Sequence, residues 1–89
     1  MKFFYHVYVK RKNGVSITNV QDVLNDATDW IRYSDQCWLV YSSINARKWH
    51  EKLSGLAKNE GELFIARLEI DDRQGWMTKS FWDWIRKKR

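Results

Sequence analysis

Cysteine is almost absent from this 89-residue chain, in which Cys37 is the single one. That excludes an intrachain disulfide and a thiolate cluster for zinc, and it fits a reducing cytoplasm. No run approaches the roughly 18 apolar residues of a membrane helix, and no basic segment followed by an apolar stretch opens the chain. Neither membrane spanning nor export is therefore expected. G-x-G-x-x-G, G-K-[ST] and G-x-S-x-G are all missing, which leaves nucleotide and acyl chemistry without support. His6 and His50 have no partner at metal-ligand spacing and no neighbour that would orient either as a general base.

Apolar residues, by contrast, make up 44% of the chain and aromatics 16%, with six tryptophans. Collapse into a packed domain follows from that composition. At this length folding buries only about 60–65% of the surface the unfolded chain exposes, so one core is all the chain can hold. Each tryptophan can bury on the order of 150–250 Å², which compensates for small size or makes a surface that needs a partner.

Phe3 to Lys10 (FFYHVYVK) reads as a strand, with Phe3, Tyr5, Val7 and Val9 on one face and Phe4, His6 and Tyr8 on the other. Both faces are apolar enough to be covered. A polar turn, Arg11 to Gly14, ends it. Thr18 and Gln21 form a capping-box pattern, and Val20, Val23, Leu24 and Ala27 follow at helical spacing, predicting a helix from Asn19 to Thr28. Asp29 to Ser43 reads as a β-hairpin turning at Ser34, Asp35 and Gln36.

Ser43 and Asn45 compete to cap a second helix, whose stripe is Ala46, Trp49, Leu53, Leu56 and Ala57. Glu62 to Ile70 is the fourth strand; Phe64, Ala66, Leu68 and Ile70 are expected to face the helices, with Leu63, Ile65, Arg67 and Glu69 on the other side. Met77, Phe81, Trp84 and Ile85 mark a short third helix. The order β, α, β, β, α, β predicts an α+β domain of ferredoxin-like type over residues 1–76, a four-stranded antiparallel sheet with both crossover helices on one face. Residues 77–89 form a helical extension with a basic tail.

The MKFFYHVYV strand, the CWLVYSS strand ending in Ser before a helix, and GELFIARLEI together resemble the small ferredoxin-like families related to CRISPR-associated protein two, including SinR-like and VapD-like proteins. The resemblance covers roughly residues 1 to 76. It implies a cytoplasmic homodimer formed through the sheet face, in defence, toxin–antitoxin or mobile-element settings. It also implies a metal-dependent nuclease centred on an acidic residue at the end of the first strand. Tyr8 stands at that position, and a phenol cannot replace a carboxylate as a hard Mg²⁺ ligand at neutral pH. No catalytic residue, metal or cofactor is therefore carried over.

Asp71 and Asp72 are the only adjacent carboxylate pair and could bind a divalent cation with help from Asp35 or Glu69, and a solvated turn balanced by Arg73 is the simpler reading. Cys37 beside Trp38 reads as a packed apolar residue. An RRM shares the βαββαβ order and would stack bases on Phe4, His6 and Tyr8, but QCWLVYSS lacks its glycine–aromatic motif. The same face is then better used for dimerisation, with Phe4, His6, Tyr8, Leu63 and Ile65 near the seam. The third helix is the rival cover for that face.

The excess of 16 Lys and Arg over 11 Asp and Glu gives a net charge of +5. Lys10, Arg11 and Lys12, Arg47 and Lys48, Lys79, and the run Arg86, Lys87, Lys88 and Arg89 are expected to form one stripe across a dimer that binds nucleic-acid phosphates without sequence preference. The expected function is a non-catalytic dimeric nucleic-acid-binding or assembly module. The alternatives are a metal-dependent nuclease or toxin, and a protein-interaction adaptor that never touches nucleic acid.

Overall fold

The computed structural model describes residues 1–87, so the expectations for Lys88 and Arg89 lie outside the described residues. The elements run β1 (Phe3–Lys10), α1 (Ile17–Leu24), β2 (Asp29–Ser34), β3 (Cys37–Ser42), α2 (Ala46–Leu53), a 3-10 turn (Ser54–Leu56), β4 (Glu62–Leu68) and α3 (Lys79–Arg86). This is an α+β structure whose single four-stranded sheet has the order β2-β3-β1-β4, antiparallel throughout.

Alternation along β1 sets the two faces. Tyr5, Val7 and Val9 are buried on the first, against Val20 and Leu24 of α1 and Trp49 and Leu53 of α2. Trp38 and Val40 of β3 complete that core. Trp38 and Trp49 are fully buried, each contributing on the order of 4–6 kcal/mol of transfer free energy before ordering costs. Arg67 closes one margin, its guanidinium carbon 4.2 Å from the Phe3 ring centroid, a cation–π contact.

α1 begins earlier than its sequence pattern predicts. Ser16 is the N-cap, its hydroxyl accepting from the Asn19 N–H at 3.1 Å while Asn19 Oδ1 accepts from the Ser16 N–H at 2.9 Å. Thr18 lies inside the helix, and the helix ends at Leu24, ahead of the expected Thr28. Asn performs the reciprocal role usually given to Glu or Gln, so the Thr18–Gln21 pattern is displaced by a cap two residues upstream. Asn45 caps α2, its side chain accepting from Lys48 N–H at 2.9 Å.

β4 faces the other way from the expectation. Its register pairs Tyr8 with Phe64, His6 with Ala66 and Phe4 with Leu68, and directly opposed residues share a face. Leu63 and Ile65 therefore pack with the helix-covered core, and Phe64 and Leu68 stand on the far face. The strand enters hard against the end of β1: a Cβ added at Gly61 would lie 1.9 Å from the Lys10 carbonyl oxygen.

The far face is covered in part by α3. Thr78 caps this helix, accepting from Phe81 N–H at 3.3 Å. Trp84 and Ile85 are buried with Leu39, and Phe4, Ile31, Tyr33, Tyr41, Leu68, Ile70 and Phe81 pack around them. No helix among the described residues is long and apolar enough to cross a membrane.

Candidate functional site

Phe4, His6 and Tyr8 of β1 share the far face of the sheet, and the register sets Tyr41, Leu39 and Cys37 of β3 opposite them. α3 lies on this face, with Phe81 5.9 Å from Tyr33 and Trp84 5.8 Å from Phe4 between ring centroids. It thereby shields the Phe4 end and leaves the Tyr8 end open. Phe64, opposite Tyr8, is 61% exposed.

Two hydrogen bonds organise the polar groups. His6 Nε2 lies 2.5 Å from the Tyr33 hydroxyl, linking β1 to β2 over the intervening β3. Tyr8 donates to Glu62 Oε1 at 2.8 Å. Burial lowers the His6 pKa from its ordinary value, so its ring is neutral at pH 7. Burial and the neighbouring Cys37 thiol push Tyr33 up to about 12. The hydrogen bond to Glu62 raises Tyr8, with burial adding to it. All three groups are uncharged at neutral pH.

Beside His6 and Tyr33, between the sheet, α3 and the segment joining β4 to α3, lies a cavity of about 350 Å³. Leu39, Leu68, Ile70, Phe81, Trp82 and Ile85 form much of its wall, with Arg73, Trp76 and Met77 at the connecting segment. Glu69 also borders it, its carboxylate accepting from the backbone N–H groups of Asp71 at 2.6 Å and Asp72 at 3.3 Å. Those two aspartates thus belong to an exposed turn held by Glu69. Among the described residues no group of three His, Cys, Asp or Glu side chains is placed to hold a metal ion.

Within one chain the described basic residues fall into separate groups. Lys10 ends β1 and Arg11 and Lys12 follow it, and Lys12 N–H donates to the Leu56 carbonyl at 3.0 Å, in the 3-10 turn after α2. Arg47 and Lys48 open α2 just after β3, whose last residue, Ser42, pairs with Phe3. The two groups thus lie toward opposite ends of the helical segment from Ala46 to Leu56, whose backbone spans roughly 15 Å from Arg47 to Leu56 at the helical rise,. Arg47 and Lys48 are both engaged by Glu51, at 3.8 and 3.5 Å. Lys79 and Arg86 flank Asp83 at 2.7 and 3.2 Å, and Lys87 reaches Asp29 at 3.3 Å. Lys79 chiefly, through its hydrogen bond, lowers the Asp83 pKa. Lys10, Arg11 and Lys12 make no ion pair with a described residue.

Sequence reasoning placed Phe4, His6 and Tyr8 on one face but missed Tyr33, Arg73, Trp76 and Trp82. Strand alternation from Ile31 to Tyr33 is the available signal for the first; Arg73 and Trp76 sit in a connection with no periodicity to read, and Trp82 lies in α3 beside its apolar stripe. No family model matches the chain, and no curated protein and no solved structure is significantly similar to it.

Proposed function

We propose that this chain is a non-catalytic, homodimeric module with a ferredoxin-like fold, working in the cytoplasm and binding nucleic acid through phosphates or serving in an assembly. The fold reading rests on the succession βαββαβ before α3 and on β1 lying inside the sheet beside β3 and β4. Kinship with the families of CRISPR-associated protein two belongs to the same proposal and rests on the wording of the strands alone.

The observation that carries the dimer is Phe64. A large apolar ring 61% exposed on a sheet face, next to Tyr8 and past the reach of α3, is the kind of surface that a second copy covers. The seam is then Tyr8, Phe64 and the nearby part of β1 and β4, with His6 at its margin. Phe4 lies under α3, and Leu63 and Ile65 on the other face, so these three are not part of it. Lys10, Arg11 and Lys12, which have no carboxylate partner among the described residues, are the first candidates for phosphate contact, ahead of the ion-paired Arg47, Lys48, Arg86 and Lys87.

Sedimentation of the wild-type chain and of Phe64→Lys at tens of micromolar tests the reading. A dimer that becomes a monomer in the variant supports it. A wild-type monomer, or a variant that stays dimeric, removes the seam. Titration with a single-stranded oligonucleotide tests the second half: affinity should fall steeply with salt and be weakened by neutralising Lys10 and Lys12.

A further inference from the structure

We propose that the cavity between α3 and the far face of the sheet binds a small flat aromatic acid, its ring held among Tyr33, Phe81, Trp82 and Trp76 and its carboxylate on the Arg73 guanidinium. The site meets the proposed dimer seam only at His6, and neither Tyr8 nor Phe64 borders it.

Size comes first. A volume of about 350 Å³ is at the low end for small-molecule sites, which run from about 300 to 1,000 Å³. One or two fused rings fit, and a dinucleotide or an extended peptide does not.

The wall chemistry selects a ring. Phe81 meets Trp82 edge-on at 5.4 Å and 87°, and Tyr33 at 5.9 Å and 65°, which offers a bound ring both faces and edges to pack on. Met1, Phe64, Trp76 and Met77 are the large hydrophobic side chains exposed among the described residues, and two of these, Trp76 and Met77, border this cavity. Trp76 is 97% exposed. An indole left in water at the mouth of an apolar hollow has no packing role in the fold, and a ring entering the hollow would give it one.

The polar groups select the acid. His6 and Tyr33 are both neutral at pH 7, so that side of the cavity suits an uncharged ring carrying a donor or an acceptor. Glu69 spends its carboxylate on two backbone amides. Arg73 is shown using one N–H, from Nη1 to the Ile70 carbonyl at 3.0 Å, and a guanidinium has five, in a fork that matches a carboxylate.

The experiment follows the tryptophan indole N–H signals of the full chain by NMR during titration with 2-naphthoic acid and, separately, with 2-naphthamide, which keeps the ring and lacks the charge. The expected result is saturable binding of the acid with a dissociation constant below about 1 mM and a preference over the amide of about tenfold or more. Arg73→Gln should remove the preference while leaving amide binding in place. Trp76→Ala, at a side chain whose exposure makes it dispensable for folding, should weaken both ligands by about threefold or more. Absence of saturable shifts at millimolar ligand, equal affinity of wild type for acid and amide, or wild-type binding by either variant would overturn the proposal.

Discussion

His6 on β1 and Tyr33 on β2 are joined by a 2.5 Å contact that passes over the strand between them. The bond ties together two strands that share no backbone ladder. Burial, separately, favours the neutral form of both partners: it lowers the His6 pKa and, with the Cys37 thiol, raises that of Tyr33.

Stability should fall on acidification for this reason. The His6 pKa is lower in the folded chain than in the unfolded one, so between the two values the unfolded state binds more protons and unfolding is favoured as pH drops. The contribution is complete above about pH 6.5, the unfolded value, and is lost as pH falls through the folded value. Chemical denaturation at pH 7.5 and pH 5 should show the decline, and His6→Gln should flatten it. An identical pH profile in that variant would assign the decline to other groups.

Gly61→Ala should be among the most damaging small substitutions in the chain, costing on the order of 2–4 kcal/mol. Its Cβ would fall 1.9 Å from the Lys10 carbonyl oxygen, and backbone on both sides must move to admit it. Gly55→Ala is the control: a Cβ there meets nothing within 4 Å, and the stiffer unfolded chain should gain up to about 1 kcal/mol. Thermal unfolding that ranks the two variants equally would contradict this close approach.

Ser16→Ala should cost about 1 kcal/mol, since its hydroxyl and amide both take part in the cap with Asn19,. Thr18→Ala, inside the helix and exposed, should be neutral or slightly stabilising. The reverse ranking in urea denaturation would restore Thr18 as the cap.

These caps show where the sequence is legible and where it is not. The hairpin and the β1 alternation follow from local patterns, and both appear in the structure. The start of α1 is not legible because Asn19 does the work of a Glu or Gln in the capping box, while Thr18 and Gln21 match the usual pattern without forming the cap. The facing of β4 was misread because Phe64, Ala66 and Leu68 are as apolar as Leu63 and Ile65; only the pairing of Tyr8 with Phe64 decides between them. The cavity was invisible because Arg73 and Trp76 reach it from an aperiodic connection.

Trp49→Ala and Trp84→Ala should differ in kind. Trp49 is fully buried in the principal core, and its loss, on the order of 3–5 kcal/mol, should bring the whole domain near unfolding. Trp84 anchors α3 to the far face, so its removal should release that helix and leave the sheet with α1 and α2 in place. Near-ultraviolet circular dichroism should then change strongly while the amide signals of β1 and β3 keep their dispersion. Loss of both together would make the two faces one cooperative unit.

Because α3 is attached through a small cluster of its own, amide hydrogen exchange should divide the chain into two levels. The β1 and β3 amides should exchange only through global opening, and the α3 amides through a cheaper sub-global one. Each such opening bares Phe4, Leu39 and Tyr41 beside the already exposed Phe64. For that interval the domain offers a continuous aromatic sheet surface, and the frequency with which it does so is set by how tightly Trp84 and Ile85 hold.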